Sequence, residues 1–427
     1  MVNNSGTARR TTRTSSTTRN SRAGHGSRTT RSSRTTRTSR AALVAAVTLA
    51  MTATTTSVLA APAPPAPAAA LKWKTATIAT GDTVGTGAVR PDAGTTWVAG
   101  MAVDRDASGA HIGFTPTIWE RDERTGTGWK KLSTDPTSVT ADIRFNGIDA
   151  VSARQALVVG DHTDDGDGIV TQHWNGKRWR TVLAPVPAGT RTAGFLTVEQ
   201  LDAKNAWATG WTQTGNGVEA QFQHWNGKRW KPVDLPDLGA GPDGGFELRG
   251  VSAQNGKNVV AVGGLSTGGQ TKPLVLRFDG TRWTKAALPS LGRVQARLLA
   301  VTTGADGAIW AVGETRSRTG GEAGLVLRYD GKKWTRPALP KDTPALSSVA
   351  LSKGDPVLLA RTDDEHFPGL IRTGKTWKSL GIPATQGGKR VSVHKVVAHG
   401  DTLDVLGSHP KGQGRLTGPQ LLLTARR

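Results

Sequence analysis

Residues 206–230 read AWATGWTQTGNGVEAQFQHWNGKRW, and residues 156–179 read ALVVGDHTDDGDGIVTQHWNGKRW. Both stretches follow one plan: a short apolar run ending in glycine, a polar interval, an aromatic, an Asn-Gly pair and a tryptophan. The apolar run has the composition of a buried strand. Asn-Gly between two aromatic-bearing segments predicts a two-residue hairpin, a turn that needs positive φ at both central residues. A further strand precedes each run and ends in a Val-Ser-Ala-like turn, as in GIDAVSA at 147–153 and LRGVSA at 248–253. The unit is therefore four antiparallel strands.

Weaker copies flank these two. They are VVAVG…RFDGTRW to Trp283, IWAVG…RYDGKKW to Trp334, PVLLA…IRTGKTW to Trp377, and TWVAG…TIWERDERTGTGW to Trp129. The last tryptophans fall at 129, 179, 230, 283, 334 and 377, so the steps are 50, 51, 53, 51 and 43 residues. Four-stranded units at a period near 40–50 residues are the signature of propeller blades. After Trp377 come three more strands, VSVHKVVAH, TLDVLG and PQLLLTARR, with no fourth. Residues 71–78, LKWKTATI, read as an unattached fourth strand. The expectation is an all-β, seven-bladed β-propeller in which this N-terminal strand closes the C-terminal blade and leaves no open edge. The blades span 80–134, 143–185, 194–236, 246–289, 295–340, 345–383, and 391–427 together with 71–78.

Gly263-Gly264, Phe278-Asp279 with Trp283, and Tyr329-Asp330 with Trp334 resemble the kelch repeat, over residues 71–427. Most copies differ from that family in having one glycine in place of two and an aromatic-to-tryptophan hairpin two residues shorter. The motifs look closer still to propellers of secreted bacterial proteins with AWAVG and HWNG repeats. The resemblance implies a fold and little about activity, because propellers host unrelated functions.

The chain has 427 residues with no cysteine, which excludes disulfides, thiol nucleophiles and cysteine metal ligands. The absence also removes the tyrosine–cysteine cofactor of the copper oxidase that shares a kelch-like propeller. Net charge is +22, and ten of the arginines lie in residues 1–40 with no lysine or acid beside them. Residues 41–60 are apolar and end in Val58-Leu59-Ala60, and residues 61–70, APAPPAPAAA, are a stiff Pro/Ala linker. This order predicts a signal peptide over 1–60 with a long arginine-rich n-region, cleaved near Ala61, and an extracellular mature protein. A permanent anchor is the rival reading, weakened by Thr48, Thr52, Thr54, Thr55, Thr56 and Ser57.

No catalytic motif stands out. Thr303–Trp310 approaches the Asp-box of sialidases, but Asp306 and Gly307 are adjacent where one residue should separate them. His173 and His224 share one repeat position, and the other histidines lack metal-ligand spacing. The acidic loop 161–168 lacks the alternation and terminal glutamate of a calcium site. No metal, cofactor, specific nucleic acid or membrane partner is expected. Lys177, Arg178, Lys228, Arg229, Lys332 and Lys333 form a basic rim beside the turns, which solubility explains. The strand tryptophans are periodic and predict packing between blades.

Two function classes remain. The first is a secreted, non-enzymatic binding module, either lectin-like toward a cell-wall or extracellular glycan or an adaptor for another secreted protein. Its site follows the second-strand glycine: Met101, Asp161, Trp211, Gly264, Glu314, Arg361 and Ser408 form a ring on the loop-bearing face, with Trp211 as the anchor. The second is a glycan-active enzyme using Glu199 and Glu247 as a carboxylate pair. Against that pair stands a plainer expectation, an ion pair between Glu199 and Arg249.

Overall fold

The computed structural model describes residues 71–135, 142–162, 168–215, 217–240, 244–360, 367, 369–410 and 417–427. The leader and linker expected over 1–70, the acidic residues 163–167 and Arg361 lie outside the described residues. Every regular element among the described residues is a β-strand.

Each repeat folds as a four-stranded antiparallel meander. Gly245–Asn255, Asn258–Thr267, Gln270–Phe278 and Trp283–Lys285 pair in chain order. So do Gln295–Thr303, Ile309–Arg316, Glu322–Tyr329 and Trp334–Thr335. Leu346–Ser352, Asp355–Ala360, Leu370–Thr373 and Thr376–Ser379 repeat the order. Upstream, Ile143–Ser152, Gln155–His162, Ile169–Trp174 and Trp179–Ala184 form one unit. Thr192–Asp202, Asn205–Thr214, Gly217–Trp225 and Trp230–Pro232 form the next, and Asp161 pairs with Gly194 across the boundary.

One long strand belongs to two sheets. The first part of Lys74–Asp92 pairs with Gly418–Arg426, with Lys74 opposite Thr424. That adds a fourth strand to Ser392–His399, Thr402–Ser408 and Gly418–Arg426. Its second part, from Thr83, pairs with Thr95–Arg105 and begins the unit that continues through His111–Asp122 and Lys130–Leu132. The first strands of all these units line a common channel of about 610 Å³.

The feature that shapes each unit is a one-residue bulge in its first strand. Register slips between Gly85 and Gly87, Phe145 and Gly147, Leu248 and Gly250, and Leu298 and Ala300. It also slips between Phe195 and Thr197, Leu346 and Ser348, and Val393 and Lys395. A bulge bends its strand and re-aims one side chain. Here the bulged residues are Thr86, Asn146, Leu196, Arg249, Leu299, Ser347 and His394, and all of them line the channel.

The bulge explains the recurrent second-strand glycine. Gly263 lies opposite Leu248, just before the bulge, and a Cβ on Gly263 would sit 1.7 Å from the Glu247 carbonyl oxygen. The same clash with a first-strand carbonyl would occur at Gly100 (1.9 Å), Gly160 (2.1 Å), Gly210 (1.9 Å) and Gly313 (2.0 Å). Ala360 is the exception, opposite Leu346. The conserved chemistry at this position is thus close backbone approach, not a turn.

The expected two-residue Asn-Gly hairpin is corrected. Trp174 pairs directly with Trp179, so the connection holds four residues, and only Gly176 within it has positive φ (88°). Asn175 instead uses its side-chain oxygen to accept the Lys177 and Arg178 amides at 3.0 and 3.1 Å. Asn226, Asp279 and Asp330 do the same in their units. An Asx side chain replaces the backbone turn, which relieves the need for a second positive φ. The preceding aromatic fastens the two adjacent turns: Trp174 Nε1 donates to the Ala153 carbonyl at 3.1 Å and Trp225 Nε1 to Ala203 at 3.0 Å.

The core lies between neighbouring sheets. Trp97 and Ile118 of one unit pack with Phe145, Val158 and Trp179 of the next. Second- and fourth-strand tryptophans meet across these boundaries: Trp97–Trp179 at 6.3 Å, Trp207–Trp283 at 5.4 Å and Trp310–Trp377 at 6.3 Å between ring centroids. Trp73 donates from Nε1 to the Leu380 carbonyl at 3.1 Å and packs in the cluster that contains Leu421 and Leu423.

Two predictions follow from this packing. Gly263→Ala forces apart two strands at a backbone contact that no rotamer can relieve, and should lower stability by at least about 2 kcal/mol. Chemical denaturation of the variant checks this, with Gly81→Ala, whose Cβ meets no neighbour and whose backbone is not left-handed, as the milder comparison. The second prediction concerns acid. Burial holds both His173 and His394 down to about 4, while Nε2 of His394 donates to the Gly85 carbonyl at 2.7 Å. An unfolded histidine titrates near 6.5. The unfolded chain therefore binds protons that the fold refuses as pH falls from about 6.5 to about 4, and stability is lost across that window. The loss is roughly 2–3 kcal/mol per histidine. His394→Gln, which keeps a donor and removes the titration, should show a smaller drop in melting temperature between pH 7 and pH 4.5 than the wild type. An equal drop would remove His394 as a cause.

Candidate functional site

A cleft of about 630 Å³ opens at the end of the sheets opposite the Asx turns, across the units that begin at Thr192, Gly245 and Gln295. Its position follows from strand register. The residue after each second-strand glycine stands opposite a first-strand residue that precedes the bulge by two. Those pairs are Met101–Val84, Asp161–Arg144, Trp211–Gly194, Gly264–Glu247, Glu314–Arg297 and Ser408–Ser392.

Where both members are charged, they bind each other. Arg144 grips Asp161 with two bonds of 2.8 and 3.2 Å, and Asn146 adds a third at 3.3 Å. Arg297 meets Glu314 at 2.7 Å. Where glycine stands opposite, the partner is released: Gly264 leaves Glu247 to pair with Arg249 at 2.8 Å and Arg297 at 3.6 Å. Arg249, Glu247, Arg297 and Glu314 thus form a line of alternating charge along one wall. Arg316 pairs with Glu322 at the rim. Trp211, Phe246 and the exposed Val218 supply an apolar wall beside it.

The structure brings together some expected site residues and separates others. Trp211, Gly264, Glu314 and Glu247 all line the cleft. Asp161 does not; it is as buried as Glu314, each 5% exposed, but lies outside the cleft beneath Arg144. Met101 and Ser408 are buried as well, so the expected ring is not an exposed one. The physical reason is the pleat: this position faces the neighbouring sheet and is buried at Met101, Asp161, Gly264, Glu314 and Ser408, and only Trp211, opposite Gly194, is part-exposed. Phe246, Arg297 and Arg316 were not singled out from the sequence. Only the equivalence of Arg144 and Arg297 in the repeat, each opposite an acid, signals the pairing.

Glu199 and Glu247 open into different cavities, Glu199 into the channel and Glu247 into the cleft. The expected Glu199–Arg249 ion pair is replaced by Arg249–Glu247, because the bulge turns Arg249 back along its own strand. In the channel, Asp149 Oδ2 accepts the Gln200 amide at 2.6 Å and Glu199 Oε1 accepts the Ala253 amide at 2.9 Å. Ser252 repeats this bond to Thr303, and Ser348, two residues earlier in its strand, accepts the Val396 amide. These side chains tie four first strands to the ones that follow. Burial raises the carboxyls of Asp149 and Glu199, the latter well above the usual range with help from Asp149. Burial likewise lowers the Lys395 ammonium, which the two acids partly support. Among the described residues no group of three His, Asp or Glu is placed to hold a metal.

No family model matches the chain. No curated protein matches it either. Among solved structures it is similar to YCF48 bound to D1 peptide, a propeller, with 16% identity and a TM-score of 0.50, covering 83% of this chain and 97% of that one. It is also similar to a puromycin-hydrolysing peptidase of Mycobacterium tuberculosis, with 13% identity and a TM-score of 0.48, covering 77% of this chain and 49% of that one. The chain spans about half the length of that peptidase. Identities this low speak to the fold alone. With the stacked four-stranded sheets around a channel, the architecture is that of a β-propeller.

Proposed function

We propose that residues 71–427 form a seven-bladed, kelch-like propeller of a secreted protein, and that it is a non-enzymatic binding module whose cleft takes an extended segment of a partner protein. The blade count rests on the bulges, one in each of seven first strands. It rests also on three bonds from a bulged side chain to the carbonyl before the next bulge: Thr86 donates to Phe145 at 2.6 Å, Asn146 to Phe195 at 3.0 Å and His394 to Gly85 at 2.7 Å. The last of these joins Ser392–His399 to Lys74–Asp92.

The observation that carries the binding reading is the charge wall. Glu247 and Glu314 are both held by guanidinium groups, so neither is free to serve as a general acid or base. A carboxylate already engaged by guanidinium groups has fewer acceptor sites left for sugar hydroxyls. Here the carboxylates are satisfied, while alternating charge beside Trp211, Phe246 and Val218 suits a peptide with apolar and charged side chains. The solved propeller with a bound peptide agrees with this reading without carrying it. The lectin-like alternative keeps Trp211 as its support.

Two outcomes are expected. Deleting residues 71–78 leaves Leu421–Thr424 without the outer of their two partner strands, and should produce aggregation or a large fall in melting temperature. Wild-type melting would sink the ring closure. Trp211→Ala should weaken binding at least tenfold on an array of extended peptides while stability stays within about 1 kcal/mol. Capture of neutral oligosaccharides in place of peptides would transfer the site to the lectin-like reading, and unchanged binding would remove the cleft.

A further inference from the structure

The end of the propeller that carries the Asx turns is a separate surface. In an antiparallel meander the turns after the first and third strands lie at the same end, away from the cleft. In two neighbouring blades these turns carry Arg154, Lys177, Arg178, Lys204, Lys228 and Arg229, all exposed. The turns are built into one platform. A Cβ on Gly176 would touch the Arg154 stem at 3.3 Å, and one on Gly227 would meet the Lys204 stem at 2.6 Å. Trp174 and Trp225 fasten the third-strand end to the first turn in each blade. Among the described residues none of the six cations makes an ion pair.

The distribution is uneven around the ring. Lys257 and Arg282 continue the cationic run into the next blade, and Lys332 and Lys333 into the one after. On the opposite side the same end carries Asp92, Asp122 and Asp401. There Arg124 is paired with Asp122 at 3.0 Å and Arg427 with Asp355 at 2.8 Å, while Lys353, Lys375 and Arg426 stand exposed among the acids. Solubility alone asks for mixed charge all round, as in this sector, not an arc in which cations so outnumber acids.

We infer that this arc is a docking surface for a linear acidic polysaccharide. Its shape selects a strand, because a flat anionic membrane would press the acidic sector against like charge. Its chemistry disfavours nucleic acid, since Trp174 and Trp225 spend their indoles on the turns and offer no stacking platform for bases. Single acids, Asp202, Asp279 and Asp330, interrupt the cation clusters from blade to blade. Acids placed between the cations disfavour a continuous polyphosphate, in which every unit is charged, relative to a polymer of sparser charge. The surface is independent of the cleft, and its failure would leave the reading of Trp211 untouched.

The test uses the full-length chain, so that the arginines of residues 1–40 contribute equally to every sample. Binding to polygalacturonate is measured by titration calorimetry at two salt concentrations for the wild type and two variants. The first, K177S/R178S/K228S/R229S, removes four charges from the arc. The second, R336S/K341S/K389S/R390S, removes four exposed cations from connections at the cleft end. The arc variant should bind at least tenfold more weakly and with a shallower salt dependence, and the control within twofold of wild type. Melting temperatures within a few degrees show that the exposed turns still fold, and K177S/R178S alone serves if the quadruple variant does not. Equal loss in both variants overturns the proposal. So does tighter binding of the wild type to single-stranded DNA or to phosphatidylglycerol vesicles than to polygalacturonate.

Discussion

A single extra residue in each first strand sets the geometry of this molecule. The bulge bends the strand where it faces the channel, and its cost is close backbone contact with the strand beside it. Each carbonyl that precedes a bulge presses toward the α-carbon opposite, and glycine at 100, 160, 210, 263 and 313 is the residue that leaves room. The bulge also re-aims one side chain per blade. In three places that side chain is a donor and binds the next blade through a backbone carbonyl. Bend, spacing and lateral attachment therefore have one local cause.

The cleft is a by-product of the same register. Because the residue after the glycine always stands opposite the same first-strand position, charge placed at both sites cancels internally. Asp161 with Arg144 and Glu314 with Arg297 are such closed pairs. A second glycine at Gly264 breaks the pattern, leaving Glu247 to reach sideways and join two blades. The double glycine, which marks the best kelch-like copy in the sequence, thus marks the place where a surface opens between blades.

Much of the strand order is legible in the sequence, because buried runs, glycine and paired aromatics repeat at nearly constant spacing. The inter-blade role of Trp97, Trp207 and Trp310 follows from periodicity alone. The site was less legible. Asp161 and Glu314 look free in the sequence, since their partners lie seventeen residues earlier and only the bulged register brings them opposite. Arg249 looks equivalent to Glu199 in the sequence, yet it is the bulged residue of its strand, the counterpart of Leu196, and Ser252 is what stands in the row of Glu199. The Asn-Gly pairs suggested a tighter turn than the one formed, because the capping capacity of the asparagine side chain competes with its tolerance of positive φ.

The strand Lys74–Asp92 serves as the last strand of one sheet and the first of another. Its pairing of Lys74 with Thr424 imposes an order of events on synthesis. Until Gly418–Arg426 has emerged, residues 74–79 have nothing to pair with, and the blade that they complete cannot exist. Bringing these segments together costs about 5 kcal/mol of chain entropy for a loop of this length. That cost falls greatly once the intervening blades have stacked and delivered the two ends to one place. The chain therefore grows as an open arc with an unpaired edge until Gly418–Arg426 is made and takes residues 74–79 as its neighbour.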